Sequence, residues 1–238
     1  MNTNRKIAVI AGALFIIADV THFMAVALTP VLTGTDYLTR FSAPTNQVAG
    51  AVLLYLIADF ACVGIAISMY PVLKKWNASL ALGSVIFRTL EAAFYMVGVV
   101  SLLSLLTLSQ QFANAGAADR ASLQAIGDLL VSVKNHAGLA AVFGFCLGAF
   151  MYYTLFFQSR LIPRWLSGFG IVAIIMMTVA CVLSLFSGNL ITSYIPLAFP
   201  IFVQELVLAV WLIVKGFNPS VSASKSGKTE TSELLSAA

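Results

Sequence analysis

Long apolar stretches constrain this chain more than any other feature of its sequence. About 20 apolar residues in a helix cross the hydrocarbon layer of a bilayer, which is about 30 Å thick. Backbone polar groups can be satisfied in lipid only within helices or closed barrels, and runs of this length favour helices. Six stretches are long enough and contain very few charges: 7–28, 48–70, 80–108, 136–157, 166–186 and 195–214. The sequence therefore predicts an all-α, polytopic membrane protein with a six-helix transmembrane bundle.

The composition excludes a soluble globule of this size. Hydrophobic residues make up 60% of the chain, charged residues 9%, and the mean hydropathy is +0.97, whereas soluble domains carry about 25% charged residues. A net charge of +4 would suit nucleic acid, but the basic residues gather at the ends of the apolar stretches. We therefore expect the lipid bilayer as a partner and no nucleic acid, and the sequence indicates no oligomeric state.

The distribution of lysine and arginine predicts how the chain crosses the membrane. Cytoplasmic connections carry more of these residues than external ones. With both termini cytoplasmic, nine basic residues lie inside (Arg5, Lys6, Lys74, Lys75, Arg160, Arg164, Lys215, Lys225 and Lys228), three lie outside (Arg40, Arg120 and Lys134), and Arg88 lies within the membrane. We therefore expect a multi-pass protein of the cell membrane with both termini in the cytoplasm.

Three regions outside the spans have patterns of their own. Residues 118–134 place aliphatic side chains at helical spacing opposite polar ones, which predicts an amphipathic helix on the outer surface or capping the bundle. Residues 29–46 contain two prolines and a glycine and predict a loop, with room for a short helical turn at 37–41. Residues 218–238 are rich in Ser, Thr, Lys and Glu, which predicts a disordered cytoplasmic tail.

Charged residues inside the apolar stretches mark the candidate site. A charge at the bilayer centre costs roughly 2.5–3.5 kcal/mol, so such residues normally face the protein interior. At a rise of about 1.5 Å per residue, Asp19, Asp59, Glu91 and Glu205 all lie about 15–18 Å into their stretches. We predict that they converge with Arg88 near the midplane. One arginine cannot neutralise four acids, so we expect at least two of them to be protonated or to hold a cation at neutral pH.

Three functions are compatible with this polar layer. The first is binding or transport of a small polar or cationic solute, with Arg88 as anchor and the carboxylates as proton or cation carriers. The second is a non-catalytic accessory membrane protein whose buried charges serve helix packing. The third is an intramembrane enzyme that uses a carboxylate pair or a metal on a lipid-like substrate. The residues leave all three open.

Two histidines offer a metal site as an alternative to a plain structural role. His22 and His136 could meet Asp19 in the outer leaflet and bind a divalent metal such as zinc, or the two histidines could hold a haem. They could equally be polar residues satisfied by water or backbone. The sequence contains no HExxH, GxSxG, GxGxxG or Walker motif and no CxxC pair, so no catalytic residue and no required cofactor is predicted.

A small-residue spacing occurs in the fourth stretch. Gly144 and Gly148 stand four residues apart. This spacing aligns two glycines on one helix face and lets a second helix backbone approach closely. We expect a tight helix contact at this point.

Several short elements resemble a known family. They are Phe87-Arg88-Thr89-Leu90-Glu91-Ala92, Asn135-His136-Ala137-Gly138, Ser159 to Gly168 with its Pro163-Arg164 pair, and Gln204-Glu205-Leu206 through Trp211 to Lys215-Gly216. In order and spacing, over about residues 4–217, the chain resembles bacterial membrane proteins known only as domain of unknown function 4386. The resemblance implies a bacterial multi-pass membrane protein with the arginine, the glutamates and the histidine as family features. It brings no activity with it, and Asp19 and His22 fall outside the matched elements.

Overall fold

The computed structural model describes residues 2–34, 36–43 and 45–219, and all regular secondary structure in them is helical. The helices are α1 (Thr3–Leu28), α2 (Tyr37–Ser42), α3 (Thr45–Leu73), α4 (Ala78–Asn114), α5 (Ala117–Ser159), α6 (Arg164–Ser187) and α7 (Ile195–Val214), with a 3₁₀ turn at Ile191–Tyr194. Six helices, all except α2, are long and apolar enough to cross a membrane. The predicted all-α bundle of six membrane-spanning helices is therefore confirmed.

The six spans form a ring in chain order. Each packs against the spans that precede and follow it, and α7 closes the ring against α1. Aromatic side chains such as Phe15, Tyr152 and Tyr153 fill the interior and are fully buried. On the outside, large apolar side chains stay exposed, with Phe60 at 61% and Phe186 at 85%. A surface of this kind is stable against lipid rather than water.

Helix α5 is longer than the fourth span that the sequence predicts. The predicted amphipathic helix of residues 118–134 is the first part of α5 and continues without a break into the membrane-spanning part. No proline interrupts Ala117–Ser159, and Gly127 and Gly138 keep helical geometry within it, so nothing forces the chain to turn between the two parts. At about 1.5 Å per residue, α5 is far longer than the hydrocarbon layer is thick.

Helix α2 packs on the part of the bundle where α4 and α5 extend furthest. Its Tyr37, Leu38 and Phe41 are buried in a small core that α3 and α4 complete. The Tyr37 hydroxyl donates a hydrogen bond of 2.9 Å to Asp128 Oδ1 on α5. Gly127 permits this approach, because a Cβ there would lie 2.5 Å from the Tyr37 hydroxyl oxygen. The short helical turn expected at residues 37–41 is thus helix α2, which links α3, α4 and α5.

Arg5 fastens the start of the chain to the end of the last span. Its Nη1 donates to the Leu212 carbonyl at 2.9 Å, and its Nη2 donates to the carbonyls of Ile213 at 2.5 Å and Val214 at 3.2 Å. The last carbonyls of a helix lack intrahelical partners and carry partial negative charge, which a cation stabilises. The start of the first span and the end of the last span therefore lie side by side. We call this end of the ring the Arg5 end. Most of the predicted tail, residues 220–238, lies outside the described residues.

Candidate functional site

Arg88 and Glu91 lie one turn apart on α4, in the middle of the ring wall. Arg88 Nη1 and Glu91 Oε2 are 2.9 Å apart, and the two side chains are 3% and 5% exposed. The angles do not suit a hydrogen bond, and among the described residues neither atom has a hydrogen-bond partner. The contact is therefore an ion pair held by charge alone. The Arg88 guanidinium also lies 4.9 Å from the centre of the Phe145 ring, within range of a cation–π interaction.

The two glycines of α5 hold this ion pair in place. A Cβ at Gly144 would lie 3.1 Å from the Glu91 backbone N, and a Cβ at Gly148 would lie 3.1 Å from Arg88 Cγ and 3.3 Å from the Arg88 backbone N. The close approach expected from the glycine spacing thus occurs directly against the two charged residues. It fixes how α4 is rotated, so both charges face protein rather than lipid.

Glu205 and Gln204 enter the site from α7. The Tyr152 hydroxyl on α5 donates to Glu205 Oε1 at 3.3 Å, and the Glu205 carboxylate interacts electrostatically with Arg88. Gln204 accepts a hydrogen bond from the Tyr153 hydroxyl and donates from Nε2 to the Leu166 carbonyl at 3.2 Å. Gln204 therefore ties α5, α6 and α7 together, while Glu205 belongs to the charged cluster.

Asp19 on α1 and Asp59 on α3 complete the cluster. Asp59 is 2% exposed, and the Oδ2 atoms of both aspartates are buried without a hydrogen-bond partner among the described residues. Asp19 interacts electrostatically with Glu205 and Arg88, and Asp59 interacts with Glu91. The structure thus brings together the five ionisable side chains that the sequence singles out, from α1, α3, α4 and α7. We call these five residues the carboxylate cluster.

The carboxylate cluster is short of hydrogen bonds. Buried side-chain nitrogen and oxygen atoms without a hydrogen-bond partner are found, in the described part of the chain, only on four of its residues: Asp19 Oδ2, Asp59 Oδ2, Arg88 Nε, Arg88 Nη1 and Glu91 Oε2. Arg88 Nη1 and Glu91 Oε2 are also the two atoms of the ion pair. Proteins normally satisfy such atoms, and each one left unpaired costs about 1–3 kcal/mol. With every group ionised, four acids against one arginine would leave a net charge of −3. The cluster therefore has the charge and the oxygen atoms to take up protons or to hydrogen-bond a polar or ammonium-type solute, although no three of its acids, all of them described residues, group closely enough in this arrangement to hold a metal ion.

Three rings cover the carboxylate cluster on the side away from the Arg5 end. The His22 ring centre lies 5.6 Å from that of Tyr55 and 5.9 Å from that of Tyr95. His22, Tyr55 and Tyr95 each lie about one helical turn from a cluster acid: Asp19 on α1, Asp59 on α3 and Glu91 on α4, respectively. We call these three residues the aromatic layer. Beyond it opens a cavity of about 710 Å³, which all three side chains line.

The two histidines of the predicted metal site both line this cavity. His22 lies in the aromatic layer, and His136 is an exposed residue of the cavity wall, with its Nδ1 3.3 Å from Ser132 Oγ. Across the described ranges, no three His, Cys, Asp or Glu side chains group closely enough to hold a metal ion. Asp19 therefore does not join His22 and His136 as a third ligand in this arrangement.

Three tyrosines that the sequence offers no reason to select also belong to the site. Tyr152 partners Glu205, and Tyr55 and Tyr95 form the aromatic layer with His22. Tyrosine is usually enriched at the membrane interfaces. A tyrosine inside an apolar stretch, as at Tyr152, five residues before the end of the stretch 136–157, is therefore a signal that could have identified a hydrogen-bonding role.

Comparison with known sequences finds a family model that covers most of this chain. A family model described as Domain of unknown function (DUF4386) matches residues 10–216. The chain belongs to this family. The resemblance noted on the Arg-x-x-Glu, His-Ala-Gly and Pro-Arg elements is thereby confirmed. No curated protein and no solved structure matches the chain. Membership of the family supplies no activity. The carboxylate cluster is therefore the feature of the protein that indicates a function.

Proposed function

We propose that this protein binds a small cationic or polar solute, or protons, in the carboxylate cluster and moves it across the cell membrane. The observation that carries the proposal is the concentration of unpartnered buried polar atoms in one place where acids outnumber the arginine. A cluster that served stability alone would gain from satisfying these atoms. A bound cation or a set of protons would satisfy them and offset the excess of negative charge.

The proposal gives the five residues different roles. Arg88 anchors the cluster by its charge against Glu91. Asp59, Glu205 and Asp19 are the proton or cation carriers together with Glu91, because carboxylate oxygen atoms bind protons and accept hydrogen bonds from ammonium groups. A site near the midplane, formed by several spans, suits a transporter that opens to the two sides in turn.

The positions of the basic residues suggest how the protein is oriented in the cell membrane. We assign the Arg5 end to the cytoplasm, because the basic connections of the chain are concentrated there. Lys74 and Lys75 lie between α3 and α4, Arg160 lies between α5 and α6, and Lys215 follows α7. Such an excess of basic residues is typical of the cytoplasmic side.

Cation-dependent stability and proton exchange test the binding part of this proposal. Purified protein in a non-ionic detergent is unfolded thermally in sodium, potassium or methylammonium chloride, and N-methylglucamine chloride serves as the bulky reference. A cation present at 100 times its dissociation constant should stabilise the fold by about 2.7 kcal/mol. In weakly buffered solution, the same addition should release protons from the cluster, which a pH-sensitive dye records.

Two variants and a control decide whether the carboxylate cluster is responsible. Glu91→Gln and Glu205→Gln should each abolish or strongly weaken both responses. Asp119→Asn is the matched control, because Asp119 is exposed near the start of α5 and far along that helix from Gly144. If both glutamine variants respond as the wild type does, the carrier role fails.

A packing role is the second candidate, and the two glycines favour it. Gly144 and Gly148 press α5 directly onto the ion pair of Arg88 and Glu91, so the pair could serve only to set how α4 packs. A buried ion pair can often be replaced by apolar side chains without loss of stability. If the double variant Arg88→Met/Glu91→Leu folds and keeps the cation and proton responses, the pair serves packing alone.

A further inference from the structure

The cavity beyond the aromatic layer lies outside the carboxylate cluster. Its volume of about 710 Å³ falls in the range of about 300–1,000 Å³ that is typical of small-ligand sites. Its walls come from α1, α3, α4, α5 and α6 and from the connection after α6. None of the five residues of the carboxylate cluster lines it. The cavity is therefore distinct from the carboxylate cluster, and the chemistry of its lining residues indicates which ligand it could bind.

Lys134 supplies a cation to this cavity. It is partly buried on α5, and no described carboxylate lies within 4.0 Å of its amine. Asp128, an acid in the same wall, lies six residues earlier on α5, about 9 Å along the helix axis. It accepts hydrogen bonds from the Tyr37 hydroxyl and the Gln124 amide. An amine that is partly withdrawn from water without a counter-ion favours an anion as its partner.

The rest of the wall contains both polar and apolar side chains. Ser132, Asn135 and Thr192 provide hydrogen-bonding groups, and the apolar part is formed chiefly by Val99, Leu102, Val131, Leu139 and Val142. Inorganic anions would leave this apolar surface uncovered. A neutral apolar molecule would leave the amine unpaired. The ligand that fits both parts has an anionic head and an apolar tail.

The position of Lys134 along α5 suits such a ligand. Gly144 packs against Glu91, which we place near the midplane, and Lys134 lies ten residues, or about 15 Å, further along α5. This distance is half of the roughly 30 Å of the hydrocarbon layer, so we place the amine at the boundary with the lipid headgroups and Leu139 and Val142 deeper. An amphiphile in the outer leaflet would meet the charged and the apolar groups in this order.

We propose that the cavity binds a single-chain anionic amphiphile. Its carboxylate or phosphate head pairs with the Lys134 amine, and its acyl chain packs on the apolar wall. The aromatic layer lies between this molecule and the carboxylate cluster, and the head pairs with Lys134, which is not one of the five cluster residues. The proposal therefore stands or falls apart from the proposed cation site.

A fluorescent fatty acid tests the proposal. Purified full-length protein in dodecyl maltoside is titrated with 11-(dansylamino)undecanoic acid, whose emission rises in an apolar pocket. Binding should saturate, and dodecanoate and dodecyl phosphate should displace the probe; the stronger of the two identifies the preferred head. Dodecanol and inorganic phosphate should displace it at least about ten-fold less well, because each lacks one half of the interaction.

Charge variants locate the bound head. Lys134→Gln should weaken probe binding about ten-fold, whereas Lys134→Arg should retain it. Arg120→Gln, on the exposed first part of the same helix, is the matched control and should bind as the wild type does. Binding that does not saturate, or a Lys134→Gln protein that binds normally, overturns the proposal. If Lys134→Gln does not fold, the wild-type competition decides, because dodecanol displacing as well as dodecanoate contradicts an anionic site.

Discussion

Replacing Gly144 by alanine should loosen the contact that positions the ion pair. The new Cβ would lie 3.1 Å from the Glu91 backbone N, 3.3 Å from Glu91 Cα and 3.3 Å from the Phe87 carbonyl oxygen. All three are backbone atoms of a helix, so no side chain can rotate away, and α4 and α5 must separate by a few tenths of an ångström. Overpacking of this kind costs about 1–3 kcal/mol. The higher helix propensity of alanine returns up to about 1 kcal/mol, so we expect a net loss of about 1–2 kcal/mol.

Gly138→Ala provides the matched control on the same helix. A Cβ at Gly138 meets nothing within 4 Å, so this variant should be as stable as the wild type or more stable by up to about 1 kcal/mol. Thermal unfolding of both variants in one detergent measures the difference, since about 1 kcal/mol shifts the midpoint by roughly 2–4 °C in a chain of this size. If Gly144→Ala unfolds at the same temperature as Gly138→Ala, the contact between α4 and α5 does not constrain the ion pair as described.

Three further substitutions test separate parts of the account by the same unfolding measurement. Arg88→Met should cost about 3–5 kcal/mol because it leaves Glu91 without its counter-ion, and the double variant Arg88→Met/Glu91→Leu should cost less; equal losses would contradict an ion pair. Arg5→Met should cost about 1–2 kcal/mol through the uncapped carbonyls of α7, whereas the exposed control Lys6→Met should change little. Burial and the hydrogen bond to α5 raise the pKa of Tyr37. The stabilisation that the Tyr37 hydroxyl provides is therefore complete below about pH 10 and declines above it. Tyr37→Phe should therefore be less stable than the wild type by about 0.5–1.5 kcal/mol at neutral pH, and this difference should shrink at higher pH; a constant difference would contradict the assignment.

The fold followed from features that the sequence displays locally. Each span is an apolar run long enough to cross a bilayer, and the run itself predicts a helix whatever its neighbours are. The extent of α5 was harder to predict, because the pattern before residue 134 and the apolar run after it are both helical. The two parts form one helix because no proline or turn separates them. The change from a polar to an apolar sequence does not by itself end a helix.

The site was predictable in part because charge in lipid is costly. That cost alone implied that Asp19, Asp59, Arg88, Glu91 and Glu205 face inward, and equal depth implied that they could meet. The aromatic layer had no such signal. Its three side chains come from α1, α3 and α4, and their contact depends on how each helix is rotated about its axis, which periodicity within a single span does not determine. The same holds for the pairing of Tyr152 with Glu205.

Infrared spectroscopy reports directly whether the buried acids of the carboxylate cluster are protonated. We expect purified protein at neutral pH, in N-methylglucamine buffer, to show the C=O band of protonated carboxylic acids. This band should weaken when the cation that stabilises the protein is added, and it should be smaller in Glu91→Gln and Glu205→Gln than in Asp119→Asn. A spectrum without this band, unchanged by any of the tested cations, would mean that the buried acids hold neither protons nor a cation, and the carboxylate cluster would then not be a binding site.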